Sequence, residues 1–306
     1  MPQFHIDTDM GVDDALALVV AGRIADFELN ALSTVFGNVP VETATRNACL
    51  LRYLSATRPD LQIFRGAERA SDGFRRNAVH VFGDDGLGSA VSAREQDDRM
   101  RAALDDCRAI PIPDHARSQT GPVTIIGLGP ATNVPQLVAY YGAANVRRIV
   151  LMSGVFFDIG NISAEAEFNA NCDPIALQAT LDLNIPVTLV PLDVCRKVLL
   201  TRSTVQTYLQ FAPTELMKLI VESHMHYMNY CLEWEGIDGC FPFDSIAVLV
   251  ASQPDKFFSI RGHVAVDIGK HQRGRTRVTA DDSSHVDIVL GGHLKWVRDG
   301  LRRLKF

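Results

Sequence analysis

Apolar residues follow two different spacings along most of this chain. Short β-type runs at Phe4–Asp7, Leu29–Phe36, Gln62–Phe64, Val123–Leu128, Arg148–Met152 and Val187–Leu192 predict strands. Between them, apolar positions recur at helical spacing over Asp14–Ile24, Val41–Ala56, Thr132–Tyr141 and Pro174–Leu181. Strands alternating with helices predict right-handed βαβ units and a mainly parallel sheet flanked by helices. The last third changes pattern. Ser203–Gln210, Pro213–Trp234, Phe243–Ala251 and Leu294–Leu304 predict helices. Phe258–Asp267, Arg275–Ala280 and Val286–Leu290 predict a small antiparallel strand set, with a turn at Gly269–Gly274. No Pro/Gly/Ser linker divides the chain, so the expected organisation is one α/β domain over residues 1–306. Ser71–Ala93 and Ile110–Gly121 stand out as long loops.

Composition narrows the class without naming a function. With 47% hydrophobic and 22% charged residues the chain is globular rather than disordered. The net charge of −6 is mild and the basic residues are scattered, so no nucleic-acid or membrane partner is expected. No apolar run approaches the roughly 20 residues that span a bilayer, and the first residues enter a strand without a leader-like segment. Cys49, Cys107, Cys172, Cys195, Cys231 and Cys240 are widely spaced, which predicts reduced, mostly buried thiols of a cytoplasmic protein.

The chemistry concentrates at the end of the first strand. Asp7-Thr8-Asp9-Met10-Gly11-Val12-Asp13-Asp14 places four carboxylates in eight residues between an apolar strand and an apolar helix. Like charges packed this closely repel, and burial raises the cost of keeping them ionised. A helix cap accounts for one of them. A cation accounts for all, and oxygen-only ligands select Ca²⁺ or Mg²⁺ over zinc. Gly11 is expected to supply a backbone geometry that other residues resist. In open α/β sheets ligands bind beyond the carboxyl ends of the strands. Gly37-Asn38, Leu128-Gly129-Pro130 and Ser153-Gly154 fall at such ends too.

Further strings follow in order: Gly83-Asp84-Asp85-Gly86-Leu87-Gly88, Gly127-Leu128-Gly129-Pro130-Ala131-Thr132-Asn133, Met152-Ser153-Gly154, Gly160-Asn161, Glu165-Ala166-Glu167-Phe168-Asn169, Asp173-Pro174 and Asp244-Ser245. Together with the acidic cluster, this set resembles the nucleoside hydrolases, the inosine–uridine-preferring nucleoside N-ribohydrolases. The resemblance implies Ca²⁺-dependent hydrolysis of the N-glycosidic bond of ribonucleosides. It implies Asp9, Asp14, Asp244 and the Leu128 carbonyl as metal ligands, with Asp9 also the catalytic base. It implies ribose contacts from Asp13, Asn38, Met152, Asn161, Glu167 and Asn169, direct displacement by water with inversion, and a homodimer or homotetramer. Asp7 is expected to brace the turn from behind.

The sequence departs from the family at the leaving-group end. Many members carry a histidine before the C-terminal metal-binding Asp and another before the loop glycine. Here these positions are Phe243 and Phe82. Phenylalanine cannot donate a proton but can stack on a base, so a preference for purine nucleosides is expected. His80, Tyr227 and Trp234 are the other expected base contacts. His224, His226, Tyr230, Glu233 and Glu235 are further polar candidates nearby. Two other functions fit parts of the pattern: a nucleoside-binding protein with little turnover, and a metal-dependent phosphohydrolase using the Asp7/Asp9 pair.

Overall fold

A computed structural model describes residues 2–55, 60–91, 94, 97–105, 107–114 and 121–306. Its strands are β1 (Gln3–Thr8), β2 (Glu28–Thr34), β3 (Gln62–Arg65), β4 (Ile110–Pro111), β5 (Val123–Gly127), β6 (Val146–Met152), β7 (Val187–Val190), β8 (Phe257–Val266), β9 (Thr276–Ala280) and β10 (Val286–Gly292). They form one ten-stranded sheet in the order β4-β3-β2-β1-β5-β6-β7-β10-β8-β9. Pairing is parallel from β4 to β10 and antiparallel across β10-β8 and β8-β9. The predicted α/β class therefore holds, with one refinement. The C-terminal antiparallel strands continue the main sheet, because β10 pairs in parallel with β7.

The central strands are covered on both faces, which explains their near-continuous apolar character. β1 is buried from Phe4 to Thr8. One face packs Ile6 and Ile126 with the helices Val12–Ala21 and Phe243–Ser252. The other packs Ile125, Ile149 and Leu189 with Leu137 and Leu177 of two further helices. His5 lies within the sheet, its Nδ1 2.8 Å from the Tyr141 hydroxyl and its Nε2 2.8 Å from Ser33 Oγ. It is a satisfied core histidine rather than a ligand.

Several predicted boundaries shift. The second helix is described over Val41–Ser55; Ala56 lies outside the described residues. The loop predicted over Ile110–Gly121 begins with β4, and its residues 115–120 also lie outside. The predicted helix Pro213–Trp234 runs from Glu215 to Tyr230 and then changes to a π-turn over Cys231–Glu235. One pair corrects the cysteine reading. Cys49 and Cys107 form a disulfide across 58 positions of sequence, while Cys172, Cys195, Cys231 and Cys240 are buried free thiols. Widely spaced cysteines carry no pairing signal in sequence, since only the fold brings this pair to a Cα separation of 5.9 Å. The bridge removes the cysteine argument for a reducing compartment. Among the described residues no helix is long and apolar enough to cross a membrane.

Candidate active site

The chain between β1 and the first helix makes a tight, strained turn. Met10 is buried with φ of 45°, a left-handed conformation that non-glycine residues rarely adopt. Its amide donates to Thr8 Oγ1 at 3.1 Å and its carbonyl accepts from Asn47 Nδ2 at 3.2 Å. Gly11, the expected special residue, instead has φ of −86°. Glycine is required there for space: a Cβ would lie 2.5 Å from Asn38 Nδ2. The turn places Asp9, Asp13 and Asp14 at the carboxyl end of β1.

Asp9 is buried and clamped by the loop after β2. Its Oδ2 accepts the Asn38 amide at 2.7 Å and its Oδ1 accepts Asn38 Nδ2 at 3.2 Å. Gly37 and Gly129 close around it; a Cβ on Gly37 would sit 2.0 Å from Asp9 Oδ2. Asp14 accepts from Thr8 Oγ1, from the Gly11 amide at 2.8 Å and from Asn38 Nδ2 at 3.1 Å. It thus caps the first helix while also joining the cluster, so the capping explanation holds for this one residue. Carboxylate oxygens of Asp13, Asp14 and Asp244 lie within 4.8 Å of one another, all buried. Asp13 Oδ1 has no hydrogen-bond partner.

Burial pushes every member of this cluster upward in pKa, and neighbouring carboxylates add to the rise at Asp9, Asp13 and Asp244. Asp13 reaches about 8, through burial first and the charge of Asp14 second. Asp9 and Asp244 rise well above the usual carboxylate range, burial again leading and neighbouring aspartates adding to it. Asp14 rises less freely because its donors favour the charged form. A buried set of acceptors with an orphaned oxygen fits a hard cation, whose charge would offset the repulsion.

Asp13 and Asp244 of this cluster line a cavity of about 150 Å³, and Asp9 and Asp14 lie buried behind them. Asn38, Leu128, Met152, Asn161, Glu167 and Asn169 line it, together with His80, Phe82, Tyr227, Tyr230, Glu235 and Phe243. A larger cavity of about 540 Å³, bordered by Leu18, Leu29, Leu51 and Leu216, lies elsewhere and has no converging carboxylates.

A family model for inosine-uridine preferring nucleoside hydrolases matches residues 4–297. The chain belongs to this family. Its relatives include uridine nucleosidase 1 of Arabidopsis thaliana, 30% identical over 86% of this chain and 77% of that protein. The non-specific ribonucleoside hydrolase of Escherichia coli is 29% identical over 97% of both chains. Among solved structures, the purine-preferring ribonucleoside hydrolase of Gardnerella vaginalis superposes with a TM-score of 0.81 at 24% identity, covering 99% of this chain and 98% of the other. Family members are N-glycosyl hydrolases, which agrees with the activity class that the sequence motifs imply.

Against that family, most predicted positions meet at one place. The Leu128 carbonyl accepts Asn169 Nδ2 at 2.7 Å, and the same amide reaches the Met152 carbonyl at 3.0 Å. Glu167 is buried and caps the helix Phe168–Cys172, accepting the amides of Asn169 at 2.8 Å, Ala170 at 3.0 Å and Gly154 at 3.1 Å. Burial raises its pKa, and those amides restrain the rise. Asn161 Oδ1 accepts the Phe168 amide at 2.8 Å, which orders the loop around the cavity. Phe82 packs against Tyr227 with centroids 5.0 Å apart, and Phe243 lies 5.8 Å from Phe241.

Other positions fall elsewhere. Trp234 is 71% exposed, stacks on Tyr230 and does not line the cavity; Glu235 lines it instead. The π-turn supplies the reason, because it advances the helical face by one residue. Asp7 is fully buried beneath the turn, bonded to Ser33 Oγ and to Asn133 Nδ2 at 2.9 Å. Burial pushes its pKa to about 7. It ties the end of β1 to Ser33 of β2 and to Asn133, and it does not line the cavity. Asp193, which the sequence reading missed, accepts the Phe156 and Phe157 amides at 3.0 and 2.6 Å and anchors the loop after β6.

His224 is excluded as a proton donor. It is buried, its Nδ1 lies 2.8 Å from the Ile220 carbonyl, and burial lowers its pKa to about 4. The folded state keeps it neutral where an unfolded histidine protonates at about 6.5. Its stabilisation is therefore present above that value and lost as pH falls toward 4. Between about pH 7 and about pH 5 the stability gap between wild type and His224→Gln should close by about 2 kcal/mol. Urea titrations of both proteins at the two pH values measure it; a pH-independent gap contradicts it.

Proposed function

We propose that this protein hydrolyses the N-glycosidic bond of ribonucleosides in the cavity lined by Asp13 and Asp244, releasing free base and ribose. The observation that carries this reading is the buried cluster of Asp9, Asp13, Asp14 and Asp244, with one carboxylate oxygen unpartnered. Asp9, Asp14, Asp244 and the Leu128 carbonyl would hold Ca²⁺, with Asp13 either joining them or reaching the sugar. When bound, the cation would neutralise the cluster, bind sugar hydroxyls and acidify a water molecule.

The remaining roles belong to the chain's own residues. Asp9, fixed by Asn38 and wedged between Gly37 and Gly129, accepts the proton of the attacking water. Asn38, Asn161, Glu167 and Asn169 hydrogen-bond the ribose, and Met152 packs against it. A site of this kind rejects sugars lacking a hydroxyl, because its own polar groups would be left unpaired. The developing positive charge at C1′ is stabilised by the carboxylates beneath it.

Phe82 and Phe243 would sandwich the base, which favours the larger purine ring. Relatives carry names from both sides of this division, uridine nucleosidase and purine-preferring hydrolase. The test is a kcat/KM panel over inosine, adenosine, guanosine, uridine, cytidine and p-nitrophenyl riboside. Inosine should exceed uridine by about tenfold or more, the order of one favourable aromatic pair. Equal values for the two would end the purine preference, and no turnover of any riboside would end the hydrolase reading.

A further inference from the structure

The helix Glu215–Tyr230 passes into the π-turn Cys231–Glu235, which the left-handed Gly236 terminates. The amides of Gly236 and Ile237 both reach back to the Cys231 carbonyl. In a regular α-helix the cavity-facing sequence Tyr227, Tyr230 would be followed by Trp234. With the wider turn the next cavity-lining residue is Glu235. Such single π-turns recur at functional sites, and this one exchanges an indole for a carboxyl.

Glu235 stands at the mouth of the same cavity whose walls carry Phe82 and Phe243. A base leaving C1′ must take up a proton, and neither phenylalanine holds one. We infer that Glu235 is the proton donor to the departing base. This rests on the nucleoside-hydrolysis reading and adds a catalytic residue to it.

In the step, the C1′–N bond breaks and its electron pair goes to the base. The Glu235 carboxylic O–H gives its proton to a ring nitrogen or carbonyl oxygen of the base. The water oxygen bonds to C1′ and its released proton passes to Asp9. Solvent then returns a proton to Glu235 and removes one from Asp9, so nucleoside plus water yields ribose plus base.

The charged and titratable groups that act on Glu235 or share its cavity wall are Arg196, Tyr227, Tyr230, Cys231 and His80, whose ring lies edge-on to Tyr230. Burial raises the Glu235 pKa above the usual glutamate value, and the Arg196 cation opposes that rise. The Tyr227 and Tyr230 phenols are pushed above their ordinary value, chiefly by burial, and hold their protons too tightly for efficient transfer near neutrality.

The experiment compares the full-length wild type with Glu235→Gln, Glu233→Gln and His80→Gln on inosine and p-nitrophenyl riboside. The riboside's leaving group departs without an acid. Glu235→Gln should lower kcat/KM for inosine by about 10²-fold or more and leave the riboside within about twofold. The fall in inosine kcat/KM at alkaline pH, which reports loss of the donor's proton, should vanish in this variant. Glu233→Gln, in the same π-turn but outside the cavity, should match wild type. Equal losses on both substrates in Glu235→Gln, retention of inosine turnover, or a selective inosine loss in His80→Gln instead would overturn the assignment. Failure of the wild type on both inosine and p-nitrophenyl riboside would instead refute the hydrolase reading itself.

Discussion

Asp9→Asn should lower turnover of inosine by about 10²–10⁴-fold, the range that a positioned general base supplies. The substitution is close to isosteric, and its surroundings hold the side chain in place. The Asn38 amide still finds an acceptor oxygen, and Gly37 and Gly129 still enclose the group. The new amide cannot accept a proton. Unlike Glu235→Gln, this variant should lose p-nitrophenyl riboside turnover by the same factor, because water must be activated whatever leaves. Steady-state rates on both substrates, with circular dichroism and thermal melting to confirm the fold, give the comparison. A substrate-selective loss would move the base elsewhere.

The second large effect concerns Asp244→Asn. Without a cation, Asp244 is a buried carboxylate facing three others, and none of the charges there favours its ionised form. Removing the charge should relieve repulsion, so the chelated variant should melt no lower than chelated wild type. Calcium should behave in the opposite way on the two proteins. Wild type should gain about 2.7 kcal/mol at a hundredfold excess over Kd, as expected for a ligand bound only by the folded state. The variant should gain almost none, and its hydrolysis should fall with its metal binding. Thermal melts with chelator and with graded Ca²⁺ measure both arms. A variant that is destabilised when chelated and still responds to Ca²⁺ would show a structural aspartate outside the metal set.

Much of this arrangement was legible in the sequence because its physical signals are local. Parallel strands such as Val123–Gly127 are buried on both faces and read as apolar runs. The Asp9–Asp14 cluster is conspicuous because acids flanked by apolar residues demand compensation. What sequence hid depends on long-range placement or backbone detail. Strain fell on Met10 rather than on the glycine beside it, since the left-handed residue is chosen by where Asn47 and Thr8 hold the turn. Cys49 and Cys107 stand 58 positions apart, and only the tertiary fold brings them together. The exchange of Trp234 for Glu235 in the cavity wall turned on one extra residue in a helical turn, which periodicity analysis assumes away. Asn38, Met152, Asn161, Glu167 and Asn169 line one cavity, but Glu167 and Asn161 also carry structural duties as a cap and a loop tie.

The most direct test of the central claim is product analysis of inosine by proton NMR, with the same enzyme first chelated and then reloaded with Ca²⁺. The account predicts free hypoxanthine and ribose in equal amounts, formed first as the inverted α-anomer, without phosphate, with no activity after chelation and recovery on reloading. Unchanged activity after exhaustive chelation, or intact inosine with the Ca²⁺-loaded protein, would contradict it.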